Sequence, residues 1–381
     1  MRLWVGLAGG MVFLLVGLYT VTQPSRDYLW DLPEGIPIPV VPEDNPMSEI
    51  KAQLGRWLFY DTRLSANNSM SCGTCHLQHL AFTDGRRNAV GVTGQSHPRG
   101  SMSLVNVAYA SRLTWANHLL GELEVQALTP LFGEAPIEMG MAGKEGVIIQ
   151  LLRTDSLYKD LFPQVFPTDE DSYSLLNVVR AISSFVRTVI SFNSPYDHFL
   201  AGDKDALSAS QQRGMALFFS EKTECFHCHG GFNFTDSSTH INSAIESVGF
   251  HNNGLYNIGM DGGYPAGNTG LYELTGKRRD MGRFKAPTLR NIAITAPYMH
   301  DGSIHSLDGV LDHYQEGGRT IEAGAHAGHG SRNPYKSVFV RAFELSATER
   351  ADLLSFLEAL TDKTVLKKPS LSDPWLELSK Y

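Results

Sequence analysis

The chain has 381 residues, a formal net charge of −8 and four cysteines, with 42% hydrophobic and 19% charged residues. This composition excludes disordered, fibrous and disulfide-stapled proteins, and the length allows two domains of ordinary size. Because the charge balance is acidic and no basic run is present, we do not expect nucleic acid as a partner.

The N-terminus begins with an uncharged, mostly apolar run of 19 residues, Leu3 to Val21. As a helix it would reach roughly 28 Å, close to the ~30 Å hydrocarbon core of a bilayer. We interpret residues 1–22 as an uncleaved membrane anchor, since no clean small-x-small cleavage site follows, or as a secretory signal that is removed. Both place the globular part outside the cytoplasm. Residues 23–45, with five prolines, are predicted to be a linker.

A weak internal repeat occupies most of the remaining chain. Each copy has Gly-x-x-Leu-Phe on a predicted helix, starting at Gly55 in the first copy and at Gly214 in the second, and each then reaches a cysteine motif. The repeat predicts an N-terminal domain over residues 46–200 and a C-terminal domain over residues 201–365. Residues 366–381 are predicted to form a tail.

Capping signals and apolar periodicity predict that both copies are helical. Asn45–Pro46 is predicted to open the first helix as N-cap and first residue, while Ser208–Gln211 and Ser346–Glu349 have the pattern of capping boxes. Two further segments place apolar residues on one helical face: Leu175, Val178, Val179, Ile182, Phe185, Val186, Val189 and Ile190 in the first, and Leu353, Phe356, Leu357 and Leu360 in the second. No alternating strand pattern exceeds a few residues, so the sequence predicts an all-α fold.

All four cysteines lie in Cys-x-x-Cys-His motifs: Cys72, Cys75 and His76, and then Cys225, Cys228 and His229. This spacing is the signature of covalent haem c, in which two thiols bind the vinyl groups and the adjacent imidazole binds the iron. A zinc site would have to join cysteine pairs about 150 residues apart and leave both histidines unexplained. A redox dithiol would need a βαβ fold. The motifs therefore predict two covalent haem c groups.

With these motifs, residues 46–365 resemble the bacterial dihaem cytochrome c peroxidase superfamily. The similarity is strongest in Lys285–Gly302, which reads KAPTLRNIAITAPYMHDG, and in Leu58–Ser65, which reads LFYDTRLS. Within the superfamily the sequence is most similar to the MauG-like branch, and in particular to the methanobactin-cassette (MbnH) family, through four segments: Leu113–Asn117, Glu124–Gln126, Pro130–Glu134 and Pro136–Gly140. The resemblance implies two tandem cytochrome c-type domains, each binding one haem.

The resemblance also implies that the N-terminal haem, on His76, reacts with peroxide. It places Gln126, Pro130 and Glu138 in the distal pocket, where Glu138 would move the peroxide proton and Gln126 would hold peroxide by hydrogen bonds. His97 is the histidine nearest the position of the displaceable distal ligand in ordinary peroxidases. It is either such a ligand or, the interpretation we favour, a loop residue that leaves the iron open.

For the second haem, on His229, the resemblance implies an axial tyrosine at Tyr314. Conventional peroxidases have a methionine in this segment, but residues 303–320 contain none. A phenolate ligand lowers the reduction potential of the haem. It therefore favours a haem that stores oxidising equivalents over one that accepts electrons from a donor. The alternative is that Tyr314 is a packed aromatic and that its neighbour His313 is the ligand or a surface residue.

Two further features follow from the resemblance. Trp115 matches a tryptophan that lies between the haems and would carry charge, the alternative being an ordinary core tryptophan. A calcium ion would be held partly by the backbone carbonyls of Thr295 and Pro297. The asparagine that normally contributes a side chain matches Gly100, so this sequence departs from the family pattern there.

The resemblance implies a periplasmic, hydrogen-peroxide-dependent oxidase that acts on a partner protein by long-range electron transfer through a bis-Fe(IV) state. The MbnH likeness suggests conversion of a tryptophan to kynurenine in a small copper-binding partner of the MbnP type. One alternative is a peroxidase that reduces hydrogen peroxide with electrons from a small cytochrome c or cupredoxin. Another is a non-catalytic electron-transfer module.

Overall fold

The structure, a computed structural model, describes residues 28–378, so the predicted anchor or signal lies outside the described residues. Within residues 28–378 no helix has both the length and the apolar character needed to cross a membrane. The helices of the first half are α1 (Glu49–Tyr60), α2 (Cys72–Cys75), α3 (Leu123–Phe132), α4 (Glu145–Thr154), α5 (Ser156–Val165), α6 (Leu175–Arg187) and α7 (Pro195–Leu200).

The second half is also mostly helical, with α8 (Ala209–Phe218), α9 (Phe226–His229), α10 (Tyr272–Thr275), α11 (Leu307–Gln315), α12 (Ala347–Glu358) and α13 (Trp375–Leu378). Its strands are two residues long: β1 (Phe250–His251), β2 (Phe284–Lys285), β3 (Thr320–Ile321) and β4 (Gly328–His329). They form antiparallel pairs, with Phe250 opposite Lys285 and Thr320 opposite His329. The mostly helical class agrees with the prediction. Strands of two residues are too short to produce an alternating pattern that could be recognised in the sequence.

Each half contains the same kind of helix crossing, and in each half a glycine allows the two helices to approach closely. In the first half α1 packs on α6, and a Cβ on Gly55 would lie 1.8 Å from the carbonyl oxygen of Ala181. In the second half α8 packs on α12, and a Cβ on Gly214 would lie 1.9 Å from the carbonyl oxygen of Asp352. The backbones approach so closely that only glycine fits. The glycine of the sequence repeat is thus the contact residue of the crossing.

The helix starts agree with two of the three capping predictions. Ser208 with Gln211 and Ser346 with Glu349 both form capping boxes. The prediction for the first helix is wrong, because the N-cap of α1 is Ser48, whose hydroxyl accepts from the Lys51 backbone N–H.

Asn45 does not cap α1 because tertiary contacts engage its side chain. Asn45 accepts from Lys51 Nζ at 2.9 Å and donates to Glu124 Oε1 at 2.6 Å. Asn45 is completely buried. Asn45 therefore lies near the start of α1, as an N-cap residue would, but its side chain instead forms hydrogen bonds that connect α1 to α3.

Each crossing lies in a separate hydrophobic cluster. The first cluster is built mainly from α1, α4, α5 and α6, and the buried face of α6 carries the predicted apolar residues from Val178 to Val186, with Leu175 half-buried. The last two residues of the predicted stripe, Val189 and Ile190, lie after the end of α6 at Arg187; Val189 is buried in the cluster and Ile190 is half-buried. The second cluster contains Leu353, Phe356, Leu357 and Leu360, as the periodicity predicts. The predicted domain boundaries at residues 46–200 and 201–365 remain a prediction.

The C-terminal segment returns to the first cluster. Val365 and Leu371 are buried within it, and the carbonyl of Leu371 accepts from the Tyr60 hydroxyl at 2.7 Å. The Trp375 indole donates to the carbonyl of Trp57 at 3.1 Å. The residues after α12 therefore tie the second half of the chain to the first.

A third, smaller cluster forms where the loops of the two halves meet. It is made of Ala116, Leu255, Tyr256, Tyr264 and Phe284, with Trp115 packed against it. The backbone N–H of Lys285 on β2 donates to the carbonyl of Trp115 at 2.8 Å. This cluster therefore holds the Trp115 loop against the second half.

Candidate di-haem active site

A continuous cavity of about 950 Å³ reaches both cysteine motifs. The lining includes every predicted haem-attachment residue: Cys72, Cys75, His76, Cys225, Cys228 and His229. No disulfide joins any of the four thiols. Thiols and imidazoles on the wall of one largely apolar cavity are the arrangement that a covalently bound macrocycle requires.

The imidazoles of both motifs are oriented to bind a metal through Nε2. His76 Nδ1 lies 2.8 Å from the carbonyl of Phe82, and His229 Nδ1 lies 3.2 Å from that of Phe234 and 3.1 Å from that of Pro287. A carbonyl can only accept, so Nδ1 carries the proton and Nε2 keeps its lone pair. Burial lowers the pKa of both rings and keeps them neutral. The residues present therefore fit haem c.

Lys285 adds a buried positive charge to the cavity wall. Its side chain is almost fully buried, and burial lowers its pKa to about 8, an effect that nearby Asp236 opposes. A buried ammonium group is stabilised by an anionic partner, and the propionates of a haem are carboxylates. The sequence analysis did not single out Lys285, although it stands at the head of the motif that carries the resemblance.

On the first-half side, Gln126, Pro130 and Glu138 all line the cavity. Gln126 and Pro130 belong to α3, and the Pro130 carbonyl accepts from Met139 N at 2.9 Å, which fixes the Glu138 segment against the helix. Burial raises the pKa of Glu138 to about 7. The Gln126 Oε1 atom is buried without a hydrogen-bond partner. The pocket thus offers a carboxyl group that titrates near neutrality beside an unsatisfied acceptor.

The structure gives His97 a neighbour that the sequence did not predict. Its Nε2 lies 3.4 Å from Glu138 Oε1 without forming a hydrogen bond, and the ring lines the same cavity. The Ala89 carbonyl accepts from the His97 backbone N–H at 2.8 Å, which holds the loop. Burial lowers the pKa of His97, so the ring faces Glu138 in its neutral form. Whether His97 ever binds the iron stays a prediction.

On the second-half side, Tyr314 of α11 lines the cavity and its neighbour His313 does not. His313 Nε2 lies 3.1 Å from the carbonyl of Asn253, outside the cavity lining. Burial raises the pKa of Tyr314 above its usual value, and a hydrogen bond with the Asn253 side chain opposes that rise. The geometry therefore favours Tyr314 over His313 as the residue that meets a haem.

A methionine also lies in this second pocket. Met299 lines the cavity, and its sulfur accepts from Asn253 Nδ2 at 3.3 Å. Asn253 thus contacts both Tyr314 and Met299. Sequence reasoning searched residues 303–320 for a methionine and so did not consider Met299, four positions before that window. Asn253 had no sequence signal, because it comes from a separate loop.

Trp115 lines the cavity that both motifs share, and its indole donates to the Gly100 carbonyl at 2.9 Å. The predicted calcium residues Thr295 and Pro297 line the same cavity. Gly100 offers no side chain, and its carbonyl is already an acceptor for Trp115. The roles of Trp115 in charge transfer and of Thr295 and Pro297 in calcium binding stay predictions.

Comparison with known proteins agrees with this geometry. Residues 49–205 match the Di-haem cytochrome c peroxidase family. Cytochrome-c peroxidase IdrP1 of Pseudomonas sp. (strain SCT) is 37% identical over 95% of this chain and 93% of its own length. Methylamine utilization protein MauG of Methylorubrum extorquens is 34% identical over 86% of this chain and 82% of its own. A solved MauG-like protein associated with microbial copper homeostasis is 49% identical, with a TM-score of 0.89 over 91% of this chain and 99% of its own.

Proposed function

We propose that this chain, which belongs to the di-haem cytochrome c peroxidase family, is an oxidase of its MauG-like branch that uses hydrogen peroxide to oxidise a partner protein. Peroxide-dependent di-haem oxidoreduction is common to the branches of this family. The observation that carries the finer proposal is the second pocket, where α11 presents Tyr314 to the cavity and turns His313 away from it. A hard phenol oxygen at that position favours storage of oxidising equivalents.

In the first pocket, Cys72, Cys75 and His76 would hold the reactive haem, which supplies the redox chemistry that reduces peroxide when it is bound. Glu138, with a pKa of about 7, can accept the proton of the inner peroxide oxygen and return it to the outer oxygen, which leaves as water. Gln126 Oε1 can accept a hydrogen bond from peroxide and orient it.

In the second pocket, Cys225, Cys228, His229 and Tyr314 would hold the storage haem. Trp115 lines the cavity that both motifs share and is the proposed path for charge. We propose that the partner is a small periplasmic copper-binding protein of the MbnP type, and that one of its tryptophans is converted to kynurenine. Two molecules of hydrogen peroxide accept the four electrons removed from the tryptophan and are reduced to water. Two water molecules supply the two oxygen atoms of N-formylkynurenine, and hydrolysis then releases formate.

This proposal is supported by the resemblance together with the 49% identical MauG-like protein, which is associated with microbial copper homeostasis. Periplasmic location, by an uncleaved N-terminal anchor or a cleaved signal, belongs to the same proposal. Calcium at the carbonyls of Thr295 and Pro297 also remains a proposal.

The test is to incubate haem-loaded protein with peroxide and candidate copper-binding partners and to analyse the partner by mass spectrometry. We expect a tryptophan of the partner to be modified only when both peroxide and this protein are present. Tyr314→Met should keep both haems attached but abolish the modification. Unchanged modification by Tyr314→Met would contradict the proposed role of the tyrosine.

One observation favours a second candidate function. Met299 places a thioether in the second pocket, and thioether ligation suits a haem that accepts single electrons. A peroxidase supplied by a small cytochrome c or cupredoxin would then be the activity. Rapid, peroxide-dependent oxidation of reduced cytochrome c, abolished in Met299→Leu and retained in Tyr314→Phe, would establish this function and exclude the first.

A further inference from the structure

We propose a divalent transition-metal site on the surface of the second half, formed by Glu221, Glu224 and His227. One ligand atom from each residue lies within 4.8 Å of the others. His227 Nε2 is 2.7 Å from Glu224 Oε2 and 3.9 Å from Glu221 Oε2. Within residues 28–378 no other group of histidine, cysteine and carboxylate side chains converges in this way.

The state of Glu224 indicates that a cation belongs here. Its side chain is only 9% exposed, and its Oε2 atom is buried without a hydrogen-bond partner. Its contact with His227 Nε2 at 2.7 Å is an ion-pair distance that does not qualify as a hydrogen bond. Its other oxygen, Oε1, pairs with Arg341 at 3.0 Å. Glu224 Oε2 and an unprotonated His227 Nε2 are both electron-pair donors, so a cation placed between them would satisfy both.

The donor set defines the class of ion. Imidazole suits zinc, copper, iron and nickel, whereas magnesium and calcium prefer sites made only of oxygen atoms. One imidazole and two carboxylates leave further positions for water, because Glu221 is largely exposed to solvent. The site therefore fits Zn²⁺ or Cu²⁺, and copper should bind more tightly of the two.

The location connects this site to the second haem motif. His227 lies between the haem-attaching Cys225 and Cys228, and its ring stacks on Phe339 with centroids 4.0 Å apart. Phe339 lines the main cavity. The matching loop of the first half, residues 67–75, contains neither histidine nor carboxylate. A cation bound to His227 would thus lie beside the second haem motif and have no counterpart at the first.

The experiment measures metal binding by the haem-loaded protein after removal of loosely bound metal with a chelator. Zn²⁺ is titrated by equilibrium dialysis, and Cu²⁺ is followed by electron paramagnetic resonance of the copper itself. We expect one saturable equivalent per chain, with nitrogen and oxygen ligands in the copper spectrum. His227→Ala and Glu224→Gln should each weaken binding at least about tenfold, and exposed Glu221→Gln should weaken it less.

The matched control is His198→Ala, which removes an exposed histidine from α7 and should leave binding unchanged. Haem content, measured by absorbance, verifies that each variant is folded and loaded. Should His227→Ala lose its second haem, the conservative Glu224→Gln variant decides. Unchanged affinity in Glu224→Gln, or the absence of a saturable equivalent in the parent protein, would show that the cluster is a histidine–carboxylate ion pair only. Neither result depends on peroxide turnover, so the experiment tests the metal site independently of the proposed function.

Discussion

The two halves of the molecule have the same helix packing but carry different side chains on the cavity wall, where the chemistry would occur. Each crosses two helices at a glycine, Gly55 or Gly214, and each fixes its motif histidine through a backbone carbonyl. In the first half the cavity wall carries Glu138, whose carboxylate faces His97 at 3.4 Å, and Gln126, whose Oε1 is buried without a hydrogen-bond partner. In the second half the wall carries Tyr314.

The difference shows which parts of a duplicated fold are free to diverge. The crossing cannot change in either half, because a side chain at the glycine would collide with backbone of the facing helix. The distal groups come from segments that take no part in the crossing: α3 and the loop after it in the first half, and α11 in the second. Helix packing is therefore the same in both halves, while the side chains that would contact each haem come from unrelated segments.

The largest expected effect comes from removing the acid–base group found only in the first half. Glu138→Gln keeps the shape of the side chain but cannot exchange a proton at neutral pH. We expect the reaction with hydrogen peroxide to slow by a factor of roughly 10² to 10⁴, measured by stopped-flow absorbance. Glu134→Gln, which changes an exposed carboxylate in the same segment, is the control and should react at the parent rate. If the Glu138→Gln variant reacted as fast as the parent protein, Glu138 would not be the acid–base group, and the proposed functional difference between the halves would be wrong.

A second comparison tests the shared crossing. Gly55→Ala and Gly214→Ala each place a methyl group within 2 Å of a facing carbonyl oxygen, so the helices must separate. Each should lower the free energy of unfolding by about 1–3 kcal/mol or more. Gly146→Ala in α4 is the control, since its added Cβ meets nothing within 4 Å and should stabilise the helix by up to about 1 kcal/mol. Chemical denaturation of the haem-loaded proteins measures all three, and a neutral Gly214→Ala would show that the crossings are not equivalent.

Sequence reasoning succeeded where a local rule decides the structure. The two capping boxes, the apolar faces of α6 and α12 and the repeat glycines follow from spacing alone. It failed where contacts join distant segments. Asn45 has the right chemistry for an N-cap, yet Lys51 and Glu124 engage its side chain and Ser48 replaces it.

The candidate site divides in the same way. The haem-attachment residues are recognisable from a five-residue motif, so the sequence indicates them directly. His97 meets Glu138, and Asn253 meets Met299, across more than 40 positions of chain between loops with no periodic pattern. Each pair lies within one half and depends on how the loops of that half fold against each other, which no local propensity encodes.

A third prediction concerns the pH dependence of the first pocket. Burial raises the pKa of Glu138 to about 7, and the facing His97 is held neutral because burial lowers its pKa. Only the ionised carboxylate can accept the peroxide proton, so the rate should increase with pH. Between pH 6 and pH 8 we expect about a tenfold rise centred near pH 7. The residual rate of Glu138→Gln should be flat over this range; the same rise in that variant would assign the titration to another group.

The smallest expected effect distinguishes the starts of the two equivalent helices. Ser208 caps α8 with a full box, since its hydroxyl accepts from Gln211 N while its own N–H donates to Gln211 Oε1. Ser48 caps α1 without this return bond, because the residue at the box position is Lys51 and its amine points to Asn45.

Ser48→Ala and Ser208→Ala should each cost about 1 kcal/mol of unfolding free energy, measured by the denaturation midpoint. Gln211→Ala should lower the free energy of unfolding by roughly a further few tenths of a kcal/mol. Lys51→Met should also destabilise the protein, but because it removes the hydrogen bonds from Lys51 Nζ to Asn45 and Pro46. If Ser48→Ala proved neutral, the buried Asn45 contacts would be what fixes the start of α1. The first half would then begin its crossing helix by tertiary contacts, and the second by a local cap.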